Sequence, residues 1–409
     1  MKVAVLTLGC RVNQSESSVL KGSLEINGAT IVELREKPDF CIVNTCTVTA
    51  KSDYNSRQLI RRAAKAGAKV IVTGCYAHLK RNEVSSIPGV IELVDNSRKY
   101  DIVNLITGKE SVLVFSHFSR SRPHLKVQDG CNFRCSYCSV PLARGISKSV
   151  PLHEVLDRVR AIEEAGYNEI VITGVHLGSY GKDLADKTPL KQLIKYILKA
   201  SNIKRIRLSS VEINEVDDEL IELMQDIRLC SHLHLPLQSA SDKILKLMRR
   251  HYTSSEFSAK IEDIFGKIAN ISVGSDIIVG FPGEGDNEFM DTYAFLKAFP
   301  FAYLHVFPFS VRPDTEAGKM RDRVHNHLIK QRVDSLMELG RDKKRSYFQK
   351  QLHGVLDVII EEKDDNHSLG TSGNYIKISM PSNNAKKGSL VFVKILEAKD
   401  NLLEGFIIP

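Results

Sequence analysis

The chain has 409 residues, 43% hydrophobic and 26% charged, with a formal net charge of +8, values of an ordinary globular protein of two or three domains that exclude a disordered or fibrous chain. No run of 18 or more apolar residues occurs, and Met1-Lys2-Val3-Ala4-Val5-Leu6 enters a strand-like run with no leader pattern, so neither a membrane helix nor a signal peptide is expected. A cytoplasmic, reducing location follows, in which eight cysteines point to metal binding or catalysis rather than to disulfides.

Residues 1 to about 115 alternate short apolar runs with helical stretches. Strands are expected at Val3–Leu8, Phe40–Asn44, Lys69–Thr73 and Ile91–Val94, with helices such as Ser15–Ile26 and Tyr54–Ala66 between them. That alternation predicts a parallel sheet covered on both faces. Ser116–His124 is polar and basic, contains Pro123, and reads as a linker. From Leu125 to about Ser310 the alternation resumes, with strands expected at Leu125–Gln128, Glu169–Thr173, Arg205–Ser209, His232–Leu235, Ser272–Val279 and Tyr303–Phe307. Helices such as Leu152–Ala165 and Asp286–Lys297 fall between them. Six β/α units in series predict a barrel or partial barrel. Residues 322–350 read as a basic helix. Beyond Gly354, Val355–Glu361, Tyr375–Met380, Ser389–Ile395 and Leu402–Ile408 predict a small all-β barrel. The fold class is thus α/β with a terminal β-barrel, in three parts: 1–115, 116–340 and 341–409. Basic residues exceed acidic ones, 17 to 11, in residues 1–120, whereas 121–340 carries 29 of each. Such an excess suits either an anionic partner or mere solubility.

Two sets of cysteines carry the chemistry. Cys131, Cys135 and Cys138 form a Cys-x3-Cys-x2-Cys run directly after the first strand of the β/α series. Three thiolates fit three corners of an iron–sulfur cubane and leave one iron open; a zinc knuckle is the alternative, although zinc more often takes a fourth ligand. Cys10, Cys46 and Cys75 each follow a strand of the N-terminal sheet, so all three emerge on its carboxyl edge, where open α/β sheets place their sites. Ordinary buried cysteines are the alternative there. Cys41 and Cys230 read as core residues.

With these motifs in place, the chain resembles the radical S-adenosylmethionine (SAM) methylthiotransferase family over essentially its whole length. Thr7-Leu8-Gly9-Cys10-Arg11-Val12-Asn13-Gln14, Asn44-Thr45-Cys46, Thr73-Gly74-Cys75-Tyr76-Ala77 and Gln238-Ser239 are most similar to the MtaB branch. Arg11 stands where that branch usually has Lys, Ala240 where Gly is usual and Val311 where Pro is usual. The resemblance implies a methylthiotransferase acting at carbon 2 of N6-threonylcarbamoyladenosine, position 37 of the tRNA anticodon loop. The other branches, which use isopentenyladenosine tRNA or a ribosomal-protein aspartate, are the alternatives, and a non-catalytic iron–sulfur RNA-binding protein is a further one. Two 4Fe-4S clusters are implied, on Cys131, Cys135 and Cys138 and on Cys10, Cys46 and Cys75. The first would bind SAM and cleave it to a radical; the second would hold the sulfur. Tyr137, Thr173, Gly174, Ser209, Glu212 and Ile278 are the expected SAM contacts. Arg57, Arg61 and Lys65, one stripe along a helix, and Lys343 and Lys344, leading into a barrel that resembles the TRAM module, are the expected RNA contacts. An electron donor such as flavodoxin or ferredoxin and a monomeric state complete the expectations.

Overall fold

The computed structural model describes residues 1–112, 121–382 and 384–409. The 115/116 boundary and residues 116–120 of the expected linker lie outside them.

The N-terminal sheet places Thr30–Ile31, Lys2–Thr7, Phe40–Thr45, Lys69–Gly74 and Val90–Leu93 side by side in that order, all parallel. Strand periodicity divides its apolar residues between two faces. Ala4, Cys41, Val43, Val70 and Val72 pack with Ile60 and Ala63 of helix Ala50–Lys65. Val3, Val5, Ile42 and Ile71 pack against Leu20 and Leu24 of helix Arg11–Ile26 and Ile102 and Ile106 of helix Asp101–Thr107. Strand Thr30–Ile31 was not legible, being only two residues at the sheet edge.

Two three-stranded parallel sheets form the central part: His124–Lys126, Glu169–Thr173 and Arg205–Leu208, then His232–His234, Ser272–Val279 and Tyr303–Pro308. Bridges Ile206–Leu229 and Ser210–His234 join them into one curved wall of six strands. The apolar interior runs from Leu125 to Leu339. Helix Asn326–Gln349, the basic helix of the sequence, lies along the last strand, with Ile329, Val333 and Leu336 against this core.

The described end of the expected linker, 121–124, is packed rather than solvated. Ser121 and Pro123 are buried, and Arg122 pairs with Glu169 at 3.6 Å and Glu361 at 2.6 Å. Polarity there marks a buried ionic joint, which composition alone cannot distinguish from a linker.

The terminal barrel closes with five strands, Val355–Lys363, His367–Ser372, Lys377–Pro381, Leu403–Ile408 and Leu390–Ala398, around Val358, Ile378, Val393 and Leu403. His367–Ser372 was missed because His367, Ser368 and Gly370–Ser372 carry almost no β-branched or aromatic signal. Tyr375, expected inside a strand, sits instead in the turn before Lys377–Pro381 at φ +66°. The barrel is bolted to the half barrel by charge. Buried Arg205 and Arg207 both meet Glu169; Arg205 also pairs with Asp357 (3.1 Å), and Arg207 donates to the Ser372 and Gly373 carbonyls, 2.9 Å each.

Candidate active site between two cysteine triads

The N-terminal triad is built by sheet topology. Cys10, Cys46 and Cys75 follow the ends of three adjacent parallel strands, and all three line one cavity of about 1000 Å³. Their loops are stitched together by side chains. Asn13 Nδ2 donates to the carbonyls of Leu8 (2.8 Å) and Thr45 (2.9 Å), joining the Cys10 and Cys46 turns. Thr45 Oγ1 donates to Thr73 O (2.6 Å) and accepts from Ala77 N–H (3.1 Å), joining Cys46 to Cys75. Ser56 Oγ accepts from Cys46 N–H (3.2 Å) and donates to its carbonyl (2.9 Å). Gly9 and Gly74 both sit at φ +98°, where an L side chain is strained. A Cβ on Gly9 would stand 2.8 Å from Cys46 Sγ, and one on Gly74 2.4 Å from the Thr45 backbone. Burial pushes the Cys46 and Cys75 thiols up, which a bound cationic metal group offsets.

Cys131, Cys135 and Cys138 occupy the loop after strand His124–Lys126, at the carboxyl end of the half barrel. Cys131 Sγ lies 3.7 Å from His176 Nδ1, and His176 Nε2 is 2.8 Å from Glu215. Burial disfavours the charged imidazole, but Cys131 and Glu215 override it and raise His176 to about 9. Arg250 Nη1 donates to Cys135 Sγ at 3.7 Å while its other arm pairs with Glu212. Burial raises Cys135 and takes Cys138 to about 12.

A single thiolate-bound zinc, with bonds of about 2.3 Å, would draw its sulfurs to roughly 4 Å of one another. Among the described residues, the three-residue set with donor atoms within 4.8 Å is His234, Asp276 and His305, not either cysteine triad. Each triad is therefore set wider than one ion needs and supplies three soft donors without a fourth cysteine, as a cubane with an open iron requires. Cys41 and Cys230 lie in cores, as expected.

One buried carboxylate ties the two halves together. Glu16, on the helix that follows Cys10, meets Lys99 of its own domain and, across the boundary, Lys126 (2.9 Å) and Arg144 (3.0 Å). Arg144 reaches on to Asn13 and lines the cavity. Although burial opposes ionisation, these cations hold Glu16 well below the ordinary carboxylate range.

The expected SAM residues divide into two groups. Thr173, Gly174 and Ser209 line the cavity, and Thr173 Oγ1 and Ser209 Oγ are buried with no hydrogen-bond partner among the described residues. The Thr173 carbonyl accepts from Val127 N–H at 2.9 Å, so only its side chain is left to meet SAM. Tyr137 and Ile278 meet in a separate apolar cluster with Phe281 and Met248, and Glu212 is taken up by Arg250. Of the basic residues, Arg61 and Lys65 are exposed, whereas Arg57 bonds the Tyr76 hydroxyl (3.0 Å) and Glu83 (3.2 Å). Lys343 donates to the carbonyls of Lys297 (3.1 Å) and Phe299 (2.6 Å), and Lys344 to Asn401 (3.0 Å). Asn13, Arg144 and His176 were not singled out from sequence; each is defined by a partner 30 or more positions away.

A half barrel with this cysteine loop at its carboxyl face, whose strand ends Thr173 and Ser209 share a cavity with a second cysteine triad, defines a radical SAM enzyme with a second cluster site. Residues 125–296 match the Radical SAM superfamily, and residues 2–95 match the Uncharacterized protein family UPF0004. Threonylcarbamoyladenosine tRNA methylthiotransferase MtaB of Bacillus subtilis (strain 168) is 36% identical, covering 98% of this chain and 95% of its own. The tRNA-2-methylthio-N(6)-dimethylallyladenosine synthase of Aquifex aeolicus (strain VF5) is 28% identical over 99% and 98%. Among solved structures, the radical S-adenosylmethionine methyltransferase TsrM of Kitasatospora setae superposes with a TM-score of 0.60 at 16% identity, over 78% of this chain and 75% of that one, which shows the shared fold. The chain belongs to the MtaB family of radical SAM methylthiotransferases.

Proposed function

We propose that this chain adds a methylthio group to carbon 2 of N6-threonylcarbamoyladenosine at position 37 of tRNA. The observation that carries the reading is that Cys10, Cys46 and Cys75 share one cavity with Thr173, Gly174 and Ser209 at the carboxyl end of the half barrel, and that this cavity, about 1000 Å³, is large enough for a nucleoside beside SAM. Residues 1–115 would then carry the sulfur-supplying cluster, 116–340 the SAM-binding one, and 341–409 an RNA-binding barrel. Cys131, Cys135 and Cys138 would hold the SAM-binding cluster, and Cys10, Cys46 and Cys75 the sulfur-supplying one.

When bound, the SAM-binding cluster and SAM supply radical hydrogen abstraction, the second cluster supplies sulfur, and a further SAM supplies the methyl group. The protein orients and shields. Thr173 Oγ1 and Ser209 Oγ offer buried hydrogen bonds to SAM, and Tyr137 with Ile278 offers an apolar face for its adenine. Arg250 and His176 place cationic N–H groups on Cys135 and Cys131, favouring the reduced, more negative cluster. Glu16 and Arg144 fix the two triads at one separation. Arg61 and Lys65 are exposed cations suited to phosphates, and the base must be splayed out of its loop to enter. A small electron-transfer protein such as flavodoxin or ferredoxin would supply the electron. Among the described residues no helix is long and apolar enough to cross a membrane; a cytoplasmic monomer fits a tRNA-modifying role.

Mass spectrometry of tRNA nucleosides from cells with and without the gene tests the reading. Loss of the methylthio group from threonylcarbamoyladenosine, restored by the gene, is expected. An unchanged nucleoside would redirect the substrate to isopentenyladenosine or a ribosomal protein.

A further inference from the structure

The terminal barrel does more than stand beside the cavity, because Tyr375 lies on its wall with Arg11, Tyr303 and His234. The Tyr375 backbone is left-handed, at φ +66°, an expensive conformation for an aromatic residue that persists only where its surroundings hold it. Here Arg207 grips the carbonyls of Ser372 and Gly373, and the Tyr375 ring lies 4.5 Å from His232, with Arg207 5.2 Å and Arg122 6.0 Å from its centroid. The hydroxyl so held accepts from Arg11 Nη2 at 3.2 Å.

Arg11 differs from the other arginines of this region. Arg122, Arg205 and Arg207 are neutralised by Glu169, Glu361 and Asp357. Among the described residues, Arg11 has no carboxylate within ion-pair distance and reaches only the phenol. It is half-buried, on the cavity wall, next in sequence to Cys10. Part of its fork is therefore open to a planar anion entering the cavity. A guanidinium binds a carboxylate through two parallel N–H donors, with more geometric selectivity than an ammonium. The positive end of the cavity also shows in His232, which burial and then Arg207, Arg11 and His234 hold well below the usual imidazole range. A threonylcarbamoyl group, unlike a dimethylallyl group, ends in a carboxylate.

Resting on the substrate reading above, we infer that Arg11 binds the free carboxylate of the N6 substituent, and that Tyr375, delivered by the terminal barrel, is the positioning residue that holds its guanidinium in place. Substrate choice would then be made jointly by the first and last domains of the chain.

The test uses full-length reconstituted enzyme and two anticodon stem-loops, one carrying threonylcarbamoyladenosine and the other its methyl ester. Kd is measured by fluorescence titration, and KM and kcat by mass spectrometry of the product. Wild type is expected to prefer the acid about tenfold or more, the scale of one charge-assisted hydrogen bond. Arg11→Gln should lose that preference by weakening the acid loop alone, and Arg11→Lys should restore most of it. Tyr375→Phe should narrow the preference through KM, with kcat changed less, and stands in if Arg11→Gln fails to fold. Equal weakening of both loops by Arg11→Gln would make Arg11 a phosphate contact and overturn the inference. So would a fall in iron content, which would make Arg11 a cluster partner, or an unchanged acid preference. If wild type methylthiolates neither loop, the substrate reading itself fails; if it modifies the acid loop while Arg11→Gln keeps the preference, only this inference does.

Discussion

Glu169→Gln should loosen the terminal barrel from the half barrel. Glu169 is fully buried, and its carboxylate meets Arg205 and Arg207, with Arg122 at 3.6 Å. Burial alone would raise its pKa, yet the three arginines lower it to about 2 from 4.5. At about 1.36 kcal/mol per unit, that depression corresponds to roughly 3 kcal/mol of stability. The contribution is fully present above pH 4.5 and is lost as the pH falls toward 2. The same magnitude follows from breaking a buried ion pair by removing one partner, about 3–5 kcal/mol, because Arg205 and Arg207 keep their charge in a buried place. Glutamine retains the volume, so packing is nearly unchanged. Hydrogen exchange of the segment 368–380 at pH 7, read by mass spectrometry, measures the opening of this joint, since Arg207 holds the carbonyls of Ser372 and Gly373. About 3 kcal/mol predicts roughly hundredfold faster exchange in the variant. An acceleration below about threefold would show that the Asp357 and Glu361 contacts suffice and would refute the reasoning.

Cys10→Ala should lose the iron of one cluster, retain reductive cleavage of SAM to 5′-deoxyadenosine and abolish the methylthiolated nucleoside; iron analysis and chromatography read all three. Gly74→Ala places a Cβ 2.4 Å from Thr45 N and O at φ +98°, at a cost of about 1–3 kcal/mol for the left-handed backbone alone; the N-terminal domain should melt earlier and bind less iron, while the Cys131 loop remains loaded. Arg61→Glu combined with Lys65→Glu should flatten the dependence of tRNA affinity on salt by about one to two units of log–log slope. Unaltered slopes in filter binding at several KCl concentrations would remove that helix from the RNA surface.

The elements that carry the cysteines were legible because their signals are local. Phe40–Asn44 and Lys69–Thr73 are apolar runs of strand length between helical patterns, and parallel topology then forces each strand end, with its cysteine, to one edge. What was illegible depends on partners distant in sequence. Tyr375 reads as the start of a strand; its turn is set by Arg207, and its hydroxyl meets a guanidinium 364 positions away. Lys343 reads as one member of a basic run, whereas its ammonium caps the carbonyls at the end of helix Asp286–Ala298. A charge pattern looks the same whether its groups meet phosphate, water or a backbone oxygen. Arg122 makes the same point from the other direction, since a segment polar enough to be a linker is polar because it is a joint.

The bonds from Asn13, Thr45 and Ser56 that fasten the Cys10, Cys46 and Cys75 turns run entirely between protein atoms. The socket is thus shaped by the chain itself, in contrast to a zinc finger, whose folding free energy comes from its metal. Loading and folding are separate events here. A molecule that loses its iron is then expected to keep its fold and, where its thiols are kept reduced, to be returned to service by refilling rather than by resynthesis.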